Sequence, residues 1–159
     1  MKQKELTLLF LLKEDEILLA MKKRGFGKGK WNGIGGKVED GESIEEALIR
    51  ECQEEISVTP IDSKKVANLL FDEIHEHERK MMHVNVFTSR QWHGEPTESE
   101  EMKPRWFKQS QIPYDKCWSD DKYWLPQILL GRLIVASFIM SDTSQVLRHT
   151  INTVGGFNE

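Results

Sequence analysis

The sequence predicts an α/β fold, and three observations carry that expectation. Residues 6–12 form a near-continuous apolar run, the pattern of a strand buried on both faces. Residues 42–56 set Ile44, Ala47, Leu48, Cys52 and Ile56 on one side of an amphipathic helix. Two apolar stretches, 66–74 and 81–92, flank the polar segment HEHERK at 75–80 and read as a hairpin.

Taken in order, the strand at 6–12 turns at Glu14-Asp15 and returns as a second strand at 17–21. Residues 22–37 read as a loop rich in base and glycine. Its six glycines, at 25, 27, 29, 33, 35 and 36, let the backbone approach a ligand closely or take positive φ. The helix at 42–56 is entered near Gly41-Glu42-Ser43, where Ser43 and Glu46 have capping-box spacing, and Pro60 lies shortly beyond it. After the hairpin come an acidic loop at 94–101, a short strand at 105–107, a turn at 109–112 ended by Pro113, and a helix within 118–130. Trp124, Ile128 and Leu129 share one side of that helix. Leu133–Met140 and Val146–Val154 form a last antiparallel pair around 141–144. No repeat, linker or boundary divides the chain. The expectation is a single domain over 1–154 and a frayed tail at 155–159.

A chain of 159 residues can bury a sizeable core. Charged residues make up 30% and hydrophobic ones 38%, as in ordinary soluble proteins, and the net charge of −4 argues against general nucleic-acid coating. Lys2 and Lys4 precede the first apolar run. Glu5 interrupts the basic stretch, and KEDE, not a cleavage site, follows the run, so it reads as a strand and not a signal peptide. Leu133–Met140 is too short to span a bilayer. Two cysteines, Cys52 and Cys117, fit a reducing compartment. The expectation is a cytoplasmic monomer with a small-molecule partner, no membrane contact and no stable nucleic-acid partner.

Glu51, Glu54 and Glu55 sit at i, i+3 and i+4, within an arc of about 100° on the helix. A solvated acidic face is the ordinary explanation of such a cluster. The wheel argues otherwise: Glu51 and Glu55 lie beside Ile44 and Leu48, at the edge of the apolar side. Glu45 also projects toward that side. Crowded carboxylates suit a hard divalent cation such as Mg²⁺ or Mn²⁺.

Gly36, Glu42, Arg50, Glu51, Glu54 and Glu55 are spaced as Gly, five residues, Glu, seven residues, Arg-Glu, two residues, Glu-Glu. This resembles the signature of the Nudix hydrolase family, which acts on nucleoside diphosphates linked to another group. Two positions depart from it. Cys52 replaces an aliphatic residue, at little cost for a buried side chain. Ser57 replaces a glycine of the helix exit, so the exit is expected to differ. The resemblance implies an α/β/α fold, a mixed sheet between helices. It implies that Glu51, Glu54, Glu55 and the Gly36 carbonyl hold Mg²⁺, Mn²⁺ being a possible substitute. It also implies that Arg50, with Glu42, orients the glutamates by ion pairing. A glutamate of the acidic loop, Glu101 before Glu100, assists the metal or acts as base; Glu54 is the rival base, and the sequence leaves the choice open. Lys22, Lys23, Lys28 and Lys30 are candidates to attract a polyphosphate.

The stretches MKKRGFGKGKWNGIGGKVEDGE (21–42), SEEMKPRWF (99–107) and WSDDKYWLP (118–126) are similar to the branch of the family that hydrolyses oxidised purine nucleoside triphosphates. That resemblance implies base recognition by Asn32, Asp120 and Asp121, with Trp118 as stacking platform and Thr7, Lys22, Phe26 and Phe71 as further substrate contacts. An amide offers a base both a donor and an acceptor. Adjacent carboxyls in an apolar pocket share a proton, so one donates while the other accepts, and one pocket then suits oxidised guanine and oxidised adenine. Read locally, WSDD fits a helix cap instead. The implied reaction converts 8-oxo-dGTP or 2-hydroxy-dATP to the monophosphate and pyrophosphate, sanitising the nucleotide pool. Other readings are a Nudix enzyme of a methylated or unmodified purine triphosphate or a dinucleoside polyphosphate, or a non-catalytic nucleotide- or RNA-binding module. His75, His77 and His83 lack convincing zinc spacing. Cys117, Met81, Met82 and Met102 read as packing residues.

Overall fold

The computed structural model describes residues 3–157, the side chain of His75 excepted. Residues 1–2 and 158–159, at the edges of the expected domain and tail, lie outside the described residues. The strands are β1 (Gln3–Lys13), β2 (Glu16–Lys22), β3 (Trp31–Asn32), β4 (Thr59–Ile61), β5 (Lys64–His75), β6 (Glu78–Ser89), β7 (Gln91–His93), β8 (Met102–Lys108), β9 (Leu133–Met140) and β10 (Val146–Val154). The helices are α1 (Ile44–Ile56) and α2 (Asp121–Leu129).

The sheet is mixed, in the order β10-β9-β5-β6-β1-β2-β3, with β8 also paired to β2. β1 runs parallel to β6, and β5 parallel to β9; the other pairings are antiparallel. The apolar run in β1 has a simple cause. Leu8, Phe10 and Leu12 join the core that holds Trp124, Leu125 and Ile128 of α2. Leu9 and Leu11 join the opposite core, with Leu48, Cys52 and Ile56 of α1. Strand side chains alternate between faces, and here each face is covered by a helix. The expected α/β fold, a mixed sheet flanked by helices, is the observed one.

Several local expectations change. The six-residue hairpin tip shrinks to Glu76-His77, both at positive φ (51° and 66°), as a tight type I′ turn requires; residues 78–80 belong to β6. The strand expected over 81–92 divides after Ser89, whose hydroxyl meets the carbonyls of Ile61 and Gln91, and β7 then pairs with β4. Pro60 sits inside β4, a position open to proline because the strand is an edge. The loop at 22–37 contains β3, which pairs with β2. The second helix starts at Asp121, and its buried side includes Leu125 as well as Trp124 and Ile128, while Leu129 is only partly buried. α1 is entered as expected: Ser43 Oγ accepts from Glu46 N, and Glu46 Oε1 accepts from Ser43 N. Its exit does not differ from the glycine form. Ser57 itself takes the left-handed conformation, φ 60° and ψ 36°, and its N–H reaches the Cys52 and Gln53 carbonyls. Glu45 is exposed.

Candidate active site

Two cavities, each of about 340 Å³, lie on either side of the segment at 35–36. That segment runs beside β1. Thr7 N donates to Gly36 O at 2.9 Å, and Ile34 and Leu9 exchange backbone hydrogen bonds. The approach is so close that a Cβ on Gly35 would overlap the Thr7 carbonyl, and one on Gly36 would lie 2.7 Å from Glu51 Oε1. Only glycine fits both positions.

The first cavity is acidic. Glu51, Glu54 and Glu55 of α1 line it, facing Arg24, Ser99, Glu100 and Glu101. The acidic loop is fixed there by Lys23 N donating to Glu101 O at 2.8 Å and by Lys23 Nζ on Glu98 at 2.6 Å. Lys23 is therefore committed to the loop, and the expectation that it meets a polyphosphate gives way to this structural role. Arg24 pairs with Glu101 at 3.2 Å. Arg50 holds Glu42 through two hydrogen bonds, 2.7 and 3.0 Å, and reaches Glu51 at 3.1 Å and Glu54 at 3.3 Å. The Arg50 guanidinium keeps the Glu42 carboxyl below its usual range.

Glu55 is the strained member. It is buried, and burial together with neighbouring Glu51 and Glu101 pushes its carboxyl up to about 9. Its Oε2 has no hydrogen-bond partner. A buried oxygen without a partner is costly, and a cation would remove both the orphan atom and the repulsion. The donors are all oxygens, the set preferred by hard divalent ions. Gly36 O keeps a second lone pair beyond its bond to Thr7. Among the described residues, no three His, Cys, Asp or Glu side chains are already gathered as a metal cage. The residues fit a divalent ion through charge and an unsatisfied donor, not through a closed cage.

The second cavity is mostly apolar. All eight residues expected to meet a substrate, Thr7, Lys22, Phe26, Asn32, Phe71, Trp118, Asp120 and Asp121, line it. Its floor is β5 and the face of α2; its mouth is the glycine-rich loop and the turn between β9 and β10. Phe26 stands 5.2 Å from the Trp118 ring, and Lys30 Nζ lies 5.2 Å from the centre of that ring. Asn32 Oδ1 is taken by Gly33 N at 2.9 Å. Thr7 is buried, and its Oγ1 has no partner. Asp120 occupies the cap position of α2 but makes no cap bond; its Oδ2 accepts from Trp124 Nε1 at 2.7 Å instead. Capping therefore does not explain WSDD. Burial raises both carboxyls, and the Asp120 charge raises Asp121 further. Asp120, with the indole N–H as donor, carries the charge, and Asp121 keeps the proton and donates to it.

Met82 and Met102 pack against the two cores, as expected, and also line this cavity. Other lining residues were not singled out by the sequence. Glu73 of β5 is one of them. Its signal was readable, since a carboxylate falls on the same strand face as Leu69 and Phe71. Ser144 closes the mouth, its carbonyl accepting from Ser119 Oγ at 2.7 Å. Such a contact between distant turns leaves no local pattern. His83 is held between Glu5 at 2.9 Å and Asn68 at 2.7 Å. Cys117 is buried and bonds the Pro113 carbonyl. No helix of the described residues is long and apolar enough to cross a membrane.

Comparison with known proteins agrees with this geometry. A family model described as the NUDIX domain matches residues 2–128. Over 151 residues the chain is 41% identical to the oxidized purine nucleoside triphosphate hydrolase of Mus musculus, covering 95% of this chain and 96% of that one. The hydrolase of the same name from Danio rerio matches with the same identity and coverage. A MutT protein from Bacillus halodurans shares the fold with a TM-score of 0.81 at 24% identity, over 94% of this chain and 97% of that one. Dependence on a divalent metal is typical of the family. With an Arg-oriented glutamate helix, a glycine backbone against it and a family match over most of its length, this chain belongs to the Nudix hydrolases and is a pyrophosphohydrolase of that family.

Proposed function

We propose that the protein hydrolyses oxidised purine nucleoside triphosphates, such as 8-oxo-dGTP and 2-hydroxy-dATP, to the monophosphate and pyrophosphate. The observation that carries this reading is the buried Asp120–Asp121 pair, hydrogen-bonded and sharing one proton, in the cavity that also holds Asn32 and Trp118. One carboxyl donates, one accepts, and the Asn32 Nδ2 supplies another donor. Such a set can read a purine edge. The names of the relatives from Mus musculus and Danio rerio support the same substrate class.

The base would stack on Trp118 under Phe26, with the triphosphate passing Gly36 toward the acidic helix. Mg²⁺ would be held by Glu51, Glu54, Glu55 and the Gly36 carbonyl, with Glu101 across the cavity; when bound, it supplies positive charge to the phosphate oxygens and lowers the pKa of water. Water adds across the α–β phosphoanhydride, the bridging P–O bond breaks, and one proton leaves with a carboxylate. Glu54 and Glu101, half-exposed at 61% and 53%, are the groups able to take it. Arg50 keeps Glu51 and Glu54 apart and oriented. Lys22, at the cavity wall, and Lys30, beside Trp118, offset the phosphate charge.

The test is pyrophosphate release with Mg²⁺ from 8-oxo-dGTP, 2-hydroxy-dATP, dGTP and dATP. The expected result is a higher kcat/KM for each oxidised nucleotide than for its parent. Equal values for 8-oxo-dGTP and dGTP would overturn the reading.

A further inference from the structure

Past a register shift between Lys65 and Ala67, β5 alternates in its burial from Ala67 to Phe71. Ala67, Leu69 and Phe71 are buried on one face. The next residue on that face is Glu73, while apolar Ile74 is turned outward and 57% exposed. The pattern is inverted at this one step: carboxylate toward the cavity, isoleucine toward solvent. Asp72, on the outer face, is neutralised by Arg79 at 2.6 and 2.8 Å. The Glu73 side chain makes no hydrogen bond or ion pair among the described residues, although it is partly buried and lines the nucleotide cavity beside Met82 and Met140. A polar side chain placed on an apolar strand face without a protein partner breaks a local rule, and such breaks mark functional positions.

A second observation points to a polar ligand in this cavity. Thr7, only 2% exposed, lines it, and its Oγ1 has no partner. Glu73 also acts on Asp120, whose carboxyl it helps to raise.

We propose that Glu73 is a specificity-determining residue: a carboxylate acceptor that favours bases carrying one N–H donor more than the unmodified purine. This rests on the substrate class proposed above and sharpens it. The chemistry separates damaged from undamaged guanine. Guanine presents a bare acceptor at N7, which a carboxylate repels. 8-Oxoguanine carries a hydrogen at N7, which a carboxylate accepts. Hydrogen bonds to an ionised partner are about twice as strong as neutral ones. The lysines of the cavity lie at its phosphate side and along Trp118, and none pairs with Glu73.

The experiment measures binding of 8-oxo-dGMP and dGMP by calorimetry to the wild type, Glu73→Gln and Glu73→Leu, and pyrophosphate release from the two triphosphates in parallel. Thermal melts verify folding, and Gln keeps shape and an acceptor while removing the charge. The expected result is an 8-oxo-dGMP preference that falls about tenfold in Glu73→Gln and further in Glu73→Leu. A preference unchanged within about twofold in both folded variants, or no preference in the wild type, would overturn the role of Glu73. If the wild type releases no pyrophosphate from 8-oxo-dGTP while the binding preference still depends on Glu73, the substrate reading fails and the role of Glu73 stands.

Discussion

The two cavities are both crowded with carboxyl groups, and they relieve the crowding in opposite ways. In the base cavity the repulsion between Asp120 and Asp121 is met from within. One carboxyl keeps a proton, the other takes the Trp124 N–H, and no oxygen of the pair is left buried without a partner. Around α1 the protein supplies too little. Arg50 serves Glu42, Glu51 and Glu54, but nothing reaches Glu55 Oε2. The base cavity settles its carboxyl pair from within. The acidic cavity is left short of positive charge. The difference teaches where binding of a base and binding of a metal should separate under mutation.

The largest effect should fall on the acidic side. Glu54→Gln is expected to lower kcat by about 10³-fold, because a carboxylate that ligates or accepts the proton becomes a neutral amide. Glu54 is exposed and its loss removes no core contact, so the melting temperature in EDTA should stay within about 1 °C. An equally large loss of metal-free stability would mean that Glu54 is structural.

Asp120→Asn should act on the other cavity alone. The amide keeps an acceptor for Trp124 but removes the charge that accepts from Asp121. The ratio of kcat/KM for 8-oxo-dGTP over dGTP should change by about 10- to 150-fold, the value of one hydrogen bond to an ionised group. The Mg²⁺ dependence of the rate should not move. A shift in metal dependence would join what the two cavities separate.

The pair also sets a pH dependence of stability. Burial raises the folded Asp121 carboxyl well above its unfolded value near 3.8. The folded state therefore holds a proton that the unfolded chain has released. The contribution is complete below the unfolded value and is lost as pH rises toward the folded one, with a slope approaching about 1.4 kcal/mol per pH unit. Denaturation of Asp121→Asn should show a flatter profile over that window than the wild type. Parallel profiles would mean that the proton resides elsewhere.

Much of this is legible in the sequence. β1 could be read from its apolar run because both of its faces are covered, and α1 from its spacing and its Ser43–Glu46 cap. The acidic site was legible because Glu51, Glu54 and Glu55 stand at i, i+3 and i+4 on one helix. The base cavity was not derivable in that way. Asn32, Phe71 and Asp120 come from three separate elements, and only resemblance linked them. Glu73 left a visible trace, a charge at the wrong step of an alternating strand, but alternation cannot say what the charge faces. Ser144 left none. The division at Ser89 was hidden because it rests on a hydroxyl meeting the carbonyls of Ile61 and Gln91, the first of them 28 residues away in the chain.

Ser57 should give the smallest effect. A non-glycine residue at φ 60° costs roughly 1–2 kcal/mol, since Cβ crowds the following carbonyl. Glycine removes that cost but gives the unfolded chain about 0.4–1 kcal/mol more conformational entropy to lose. The terms oppose, and the first is larger. Ser57→Gly should therefore stabilise the fold by about 0.5–1 kcal/mol, raising the melting temperature by roughly 1–4 °C in a domain of this size. Ser57 makes its cap bonds through the backbone N–H, which glycine retains. Glu54 and Glu55, one turn earlier, should keep their places, so kcat and base preference should not change. A stabilised variant with altered metal dependence would show that the exit of α1 tunes the acidic cavity after all.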